Sequence, residues 1–228
     1  MDIFYPIVKS FTAGGAFMFP ILLVAAIAAA ITIERYVTLT KMSAGNRRTW
    51  SRVEPLIASG DFDKARELTS KDDSAISRVL SMGLAVQGAV RRREDVEKAM
   101  QESMMEIVPQ LEKRTHYLAT AANVATLLGL LGTVNGLIHA FAAVATVNPA
   151  DKANLLSASI SEAMNCTAFG LLTAVPILVL HAFLQSKTMG LSDGLETAAI
   201  RFLNAVAARQ AARAQSRLEL VQQSASAA

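Results

Sequence analysis

Thr133, Thr167 and Glu162 are the residues of this 228-residue chain whose types and settings could do chemistry, two hydroxyls and a carboxylate within long hydrophobic helices. At bilayer depth a polar or charged group costs a few kcal/mol unless it faces protein or water, roughly 2.5 to 3.5 for a central charge on translocon scales. Such groups read by default as an ion pathway. The bland alternative for each threonine is a hydroxyl bonded back to the carbonyl four residues earlier, which satisfies it at almost no cost in lipid. Glu162 is harder to dismiss. With a helix starting near Asn154, its carboxylate lies about two turns inside, roughly 12 Å down, with Ser159, Asn165, Cys166 and Thr173 near its stripe.

The elements that must position these groups are membrane helices. The chain is 52% hydrophobic and only 18% charged, with a mean hydropathy of +0.35, which excludes disorder. Three charge-free runs, Ala16 to Ile33, Tyr117 to Ala150 and Ala163 to Ser186, compare with the roughly twenty residues needed to cross a ~30 Å core. The second is long enough to project beyond the bilayer. The fold class expected is all-α, an integral membrane protein with three transmembrane helices, two of them extending into a cytoplasmic helical bundle. The divisions are 1–15 before the first span, 16–39 the span, 40–116 a cytoplasmic helical domain, 117–147 the second span, 148–153 a periplasmic loop, 154–186 the third span and 187–228 a cytoplasmic helix and tail.

Lys and Arg set the orientation. Lys41, Arg47 and Arg48 follow the first span and Lys187 the third, whereas the opposite side holds only Lys9 and Lys152. By the positive-inside rule the N-terminus is periplasmic and the C-terminus cytoplasmic. A cleaved signal peptide is the competing reading of the first run. Asp2 and Lys9 nearly cancel before it, and Glu34 and Arg35 follow it, which fits a retained helix better.

In the cytoplasmic segment Trp50, Val53, Leu56 and Ile57 form one apolar set, Gly60-Asp61 breaks and recaps, Phe62, Ala65 and Leu68 form a second, and Asp73-Ser74 opens a third with Ile76, Val79, Leu80 and Leu84. Arg91 to Arg93 with the acids after them read as a solvated helix start, lipid headgroup binding being the minority reading. Val96, Met100, Met104, Ile107 and Leu111 carry a stripe toward the second span, with Pro109 as the one place for a kink. Leu191, Leu195, Ala198, Phe202 and Val206 repeat the device in the tail, before residues 224 to 228 fray. In the second span Gly129, Gly132 and Gly136 recur with alanines at three- and four-residue steps, a seam that lets another helix approach closely. It serves packing within the chain or between subunits.

Enzyme readings fare badly. One Cys and three His give no metal-ligand spacing, no catalytic triad or phosphate-cradling loop stands on a plausible scaffold, and no cofactor is expected. Cys166 reads as a small packing residue rather than a nucleophile. The net charge of +3 reflects loops beside anionic membrane lipid, with no nucleic-acid motif.

The GLLGTVNG stretch at 129–136, leading to Ala140-Phe141, resembles the second span of the TolQ/ExbB/MotA family, and its ExbB/TolQ branch in particular. Glu162, then Thr167-Ala168-Phe169-Gly170-Leu171 and Ala174-Val175-Pro176, are similar to the third. Glu34-Arg35 and Gly60-Asp61 followed by Ala65 also look like the family, and the N-terminus looks like TolQ or a short ExbB. The resemblance implies a homopentamer whose inner wall is the second and third spans, around a dimer of a single-span ExbD/TolR-like partner that supplies a membrane-embedded Asp. A TonB/TolA-like energy transducer is a further candidate partner. Thr133 and Thr167 would then line the ion route and Glu162 its wall nearer the outside. The implied function is an ion-channel stator subunit of the bacterial inner membrane, with protons as the favoured ion. The alternatives are a gliding or other motility stator and a non-conducting membrane scaffold. Asn135, Asn165-Cys166 and His139 depart from the family pattern.

Overall fold

The computed structural model describes residues 15–87 and 93–226. Among them the ordered elements are helices: α1 Met18–Ser59, α2 Phe62–Ser70, α3 Ala75–Gln87, α4 Arg93–Glu112, α5 His116–Thr146 and α6 Lys152–Ser226. The all-α class is as expected, and α1, the α4–α5 stretch and α6 each contain a segment long and apolar enough to cross a membrane. Lys9, Arg91 and Arg92 lie outside the described residues.

Two compact units share these helices, residues 1–36 with 114–186, and 37–113 with 187–228. In the first unit α5 and α6 pack antiparallel along the glycine seam. Ala122, Ala125, Gly129, Gly132 and Ala140 are buried on α5, and Ala163, Cys166, Gly170, Ala174 and Ile177 on α6. Small residues on both sides let the backbones approach, the favourable geometry where lipid provides no hydrophobic drive.

In the second unit α3 and α4 pack together, with Val79, Leu80, Leu84, Val96, Met100, Ile107 and Leu111 buried. Met104 of the expected stripe is only half-buried and Ser103 is buried in its neighbourhood. The C-terminal stripe of Leu191, Leu195, Ala198, Phe202 and Val206 is buried as its spacing predicts. Phe62 meets Phe202 edge to face, ring centres 6.0 Å apart. Gly60 takes a positive φ of 74°, a backbone that side chains with a Cβ rarely adopt, and stops α1. Asp61 then caps α2 by accepting from the Lys64 amide at 3.4 Å.

Helix continuity differs from the expectation in two places. Pro109, the one place expected for a kink, sits inside α4, and the break between α4 and α5 comes after it. It falls at residues 113–115, where Arg114 adopts φ 66° and α5 begins on tight bonds from Tyr117 N to Arg114 O and Leu118 N to Thr115 O, both 3.2 Å. Left-handed backbone ends a helix whether or not the residue is glycine. The other difference is that α1 runs unbroken through residue 40 to Ser59, with Pro55 in its last turns, and α6 continues to Ser226, into the stretch 224–228 expected to fray, whose last two residues lie outside the described ones. The expected Asp73-Ser74 start of α3 is made by Ser74, its hydroxyl accepting from the Ser77 amide at 3.3 Å.

Candidate functional site

Thr167 sits on α6 at the point where that helix crosses the glycine seam. Its Oγ1 donates to the Gly129 carbonyl of α5 at 3.0 Å, a bond between helices rather than the back-bond to its own turn expected for a threonine in lipid. The approach that permits it is set by two glycines: a Cβ on Gly129 would come within 3.2 Å of the Gly170 Cα, and one on Gly170 within 2.8 Å of the Ala125 carbonyl oxygen. No side chain fits there, so the two backbones touch and a short hydroxyl can span the gap.

Thr133 lies one turn further along α5 than Gly129, about 6 Å by helix rise. It is half-buried, and its hydroxyl donates to the Leu130 carbonyl at 2.6 Å within its own turn. Thr126 back-bonds to Ala122 at 3.1 Å. The local alternative therefore describes Thr126 and Thr133 and fails for Thr167. Thr133 keeps its two oxygen lone pairs for a further donor or a cation, and so does Thr167.

Gly132 packs directly against the Cys166 Sγ, and Gly136 faces Ala163, whose Cβ would stand 2.9 Å from an added methyl. The seam through Gly129, Gly132 and Gly136 is thus filled from within the chain. Cys166 is buried, the packing role its apolar setting predicts. Gly170, part of the α6 motif, is a seam residue that spacing on α5 alone did not identify. The signal for it was present in the four-residue step from Cys166.

Glu162 is solvent- or lipid-accessible on α6, one turn before Cys166, with its carboxylate lying over Gly15. Because α6 begins at Lys152, two residues before Asn154, the carboxylate lies about 15 Å along the helix. Among the described residues no hydrogen bond joins Thr133, Thr167 and Glu162 to one another. The three share the α5–α6 pair, and each keeps an oxygen available to an outside group. Also in this unit, Glu34 and Arg114 form an ion pair with both carboxylate oxygens 2.7 Å from Nη1, and Arg35 beside it is 4% exposed. The Glu34-Arg35 pair is legible in the sequence, whereas its partner stands eighty positions away.

The second unit holds a hydroxyl-rich turn. Asp72 accepts from Thr49, from Ser74 at 2.9 Å and from Ser77 at 3.1 Å. The Thr49 hydroxyl does most to hold this carboxyl below the ordinary aspartate value of 3.8. Among the described residues no group of three His, Cys, Asp or Glu is placed to hold a metal ion.

Three helices long and apolar enough to cross a membrane, two of them meeting at a close-packed seam that carries oxygen-bearing side chains, define a multispan helical membrane protein. The profile of the MotA/TolQ/ExbB proton channel family matches residues 71–197, more than half of the chain and both helices of the seam. The chain belongs to that family, which is associated with channels and transport rather than enzymes. It is 37% identical over 84 residues to the Tol-Pal system protein TolQ of Haemophilus influenzae, covering 37% of this chain and 36% of that one. Over 168 residues it is 27% identical to the putative biopolymer transport protein ExbB-like 3 of Synechocystis, covering 73% and 79%. TolQ of Pseudomonas aeruginosa is 28% identical over 145 residues, 63% and 55% of the two chains. The chain thus spans about a third and about half of the two TolQ relatives.

Proposed function

We propose that the protein is the ion-channel subunit of an ExbB/TolQ-like inner-membrane motor. It would assemble as a homopentamer around a dimer of a single-span ExbD/TolR-like partner, N-terminus periplasmic and C-terminus cytoplasmic, and couple ion-motive force, protons being the favoured ion, to work on the cell envelope. The observation that carries this reading is the Thr167 to Gly129 bond, 3.0 Å, which fixes a hydroxyl at the helix seam with lone pairs to spare. Thr133, one turn along, and the accessible Glu162 supply two more oxygens on the same pair of helices. In a wall of this kind a partner carboxylic acid exchanges hydrogen bonds with successive hydroxyls, so loss and regain of its proton is coupled to movement past them. Among the described residues no aspartate stands in the apolar part of a span, and in this reading the partner would supply one.

A second reading, the non-conducting scaffold, is favoured by one observation: the Thr133 hydroxyl is already satisfied within its own turn at 2.6 Å. Ion flux in proteoliposomes with the partner co-expressed separates the two. Thr133→Val and Thr167→Val keep volume and lose the hydroxyl, and flux should fail in each. Unchanged flux in both single variants and in the double variant would leave the scaffold.

A further inference from the structure

Gly45, Arg48, Thr49 and Arg52 of α1 follow one another at steps of three, one and three, which keeps them on one side of the helix over two turns. With Leu68 of α2, and Lys71 and Asp72 just after it, they line a cavity of about 430 Å³ within the second compact unit. That volume is in the range of small-molecule sites. Lys71 is held by Glu67 at 2.6 Å. Arg48 and Arg52 are exposed, and among the described residues neither guanidinium is in an ion pair. The carboxylate of the lining, Asp72, is turned to hydroxyls instead, its Oδ2 accepting from Thr49, Ser74 and Ser77.

Gly45 is what leaves the space open. It lies inside α1, where glycine weakens a helix, and a Cβ built on it would meet only the Ser74 Cβ, at 4.0 Å. Helical side chains lean toward their own N-terminus, so Arg48 reaches over the turn that begins at Gly45 and Arg52 over the turn of Arg48. A side chain at position 45 would fill the ground they reach over. Like charges four residues apart on a helix repel, and an anion between them relieves that repulsion.

We propose that this cavity binds a phosphate ester, its phosphate held by Arg48 and Arg52 and its carbon part lying against Leu68. A tetrahedral phosphate offers oxygens to two guanidinium forks at once, whereas a carboxylate with two oxygens is matched by one. Bare phosphate leaves most of so large a cavity empty, and the half-buried Leu68 provides apolar surface for the remainder of an ester. A filled site ties α1 to the turn between α2 and α3 and stabilises the unit that contains both. The inference is independent of ion conduction.

The test is isothermal titration calorimetry of the whole protein in detergent micelles, with glycerol phosphate as the probe and chloride at matched ionic strength as the blank. A second arm measures retention of phosphatidic acid over phosphatidylcholine on release from nanodiscs. Arg48→Gln and Arg52→Gln should each weaken binding roughly tenfold, and together roughly a hundredfold. Arg48→Lys/Arg52→Lys keeps the charge and loses the forks, so it should also weaken binding. Gly45→Leu fills the cavity without touching a charge and raises helix propensity, so it should fold as well as the unaltered protein and lose binding. Lys98→Gln, an exposed cation on α4, should leave binding unchanged. Saturable binding of glycerol phosphate with these losses would support a soluble ester as the ligand. Retention of phosphatidic acid with the same losses, glycerol phosphate being inert, would support the site with a lipid headgroup as its source. Binding in neither arm, affinity retained in Arg48→Gln/Arg52→Gln or in Gly45→Leu, an equal loss in Lys98→Gln, or inorganic phosphate binding as tightly as the ester would overturn the proposal.

Discussion

Thr133 and Thr167 present the same hydroxyl to different acceptors, a carbonyl of its own turn in one case and Gly129 of the facing helix in the other. The two should therefore separate in stability even where they agree in function. Thr167→Val removes an interhelical bond, worth about 0.6 kcal/mol on average in a membrane protein and up to ~1.7, whereas Thr133→Val removes only a local one. Unfolding titrations in mixed micelles should show a loss of about that size for Thr167→Val and little change for Thr133→Val. Thr167→Ser should restore most of it. For Glu162 the expectation concerns charge. Glu162→Gln keeps hydrogen-bonding capacity and removes the charge, so flux should fall and its pH profile change while assembly yield holds; a variant with normal flux and the same profile would make the carboxylate structural.

Along the helices the seam sets how much bulk each position accepts. An added methyl on Gly170 meets backbone, the Ala125 oxygen at 2.8 Å and the Gly129 Cα at 3.0 Å, neither of which can move without separating the helices. An added methyl on Gly132 meets the Cys166 side chain instead. Gly170→Ala should thus lower the thermal midpoint more than Gly132→Ala, and Cys166→Ala should partly rescue Gly132→Ala but not Gly170→Ala, a coupling that a double-mutant cycle reads directly. Gly132→Leu exceeds what either partner can yield and should prevent helix docking. In the second unit the turn before α3 carries a pH dependence. Asp72 is depressed below 3.8, first by the Thr49 hydroxyl, so its contribution is complete above that ordinary value and is lost as pH falls through the depressed one. Thr49→Val should move the acid end of a pH series of circular-dichroism melts upward, leaving neutral pH almost unchanged.

At the scale of the whole molecule, α5 and α6 bury small residues against each other and leave large ones outside. Leu127, Leu130, Val134, Ile138 and Phe141 on one helix and Met164, Leu172, Val175 and Val179 on the other are exposed in the single chain. Apolar surface of this extent belongs against lipid or another subunit. The glycine seam is consumed within the chain, so in the proposed pentamer the contacts between subunits would use those larger side chains. Native mass spectrometry of the solubilised protein should show a pentamer, and a Gly132→Leu change should weaken it indirectly through the loss of the α5–α6 pair. A stable monomer in the unaltered protein would refute the stator assembly.

The sequence by itself determined what depends on local polarity and spacing: three runs long enough to span, the apolar stripes from Val96 to Leu111 and from Leu191 to Val206, the break at Gly60-Asp61, and the family through its two motif helices. These are properties of neighbours along the chain, and a period of about 3.6 residues writes them into the order of residue types. Only the tertiary structure decided which partner each group meets. Thr167 to Gly129, Glu34 to Arg114 and Asp72 to Thr49 join positions 38, 80 and 23 apart, and nothing in the order of residues distinguishes those pairings from others of equal chemistry. It also decided the break at residues 113–115, where Arg114 takes a left-handed backbone that a non-glycine residue rarely adopts and that no sequence signal marks.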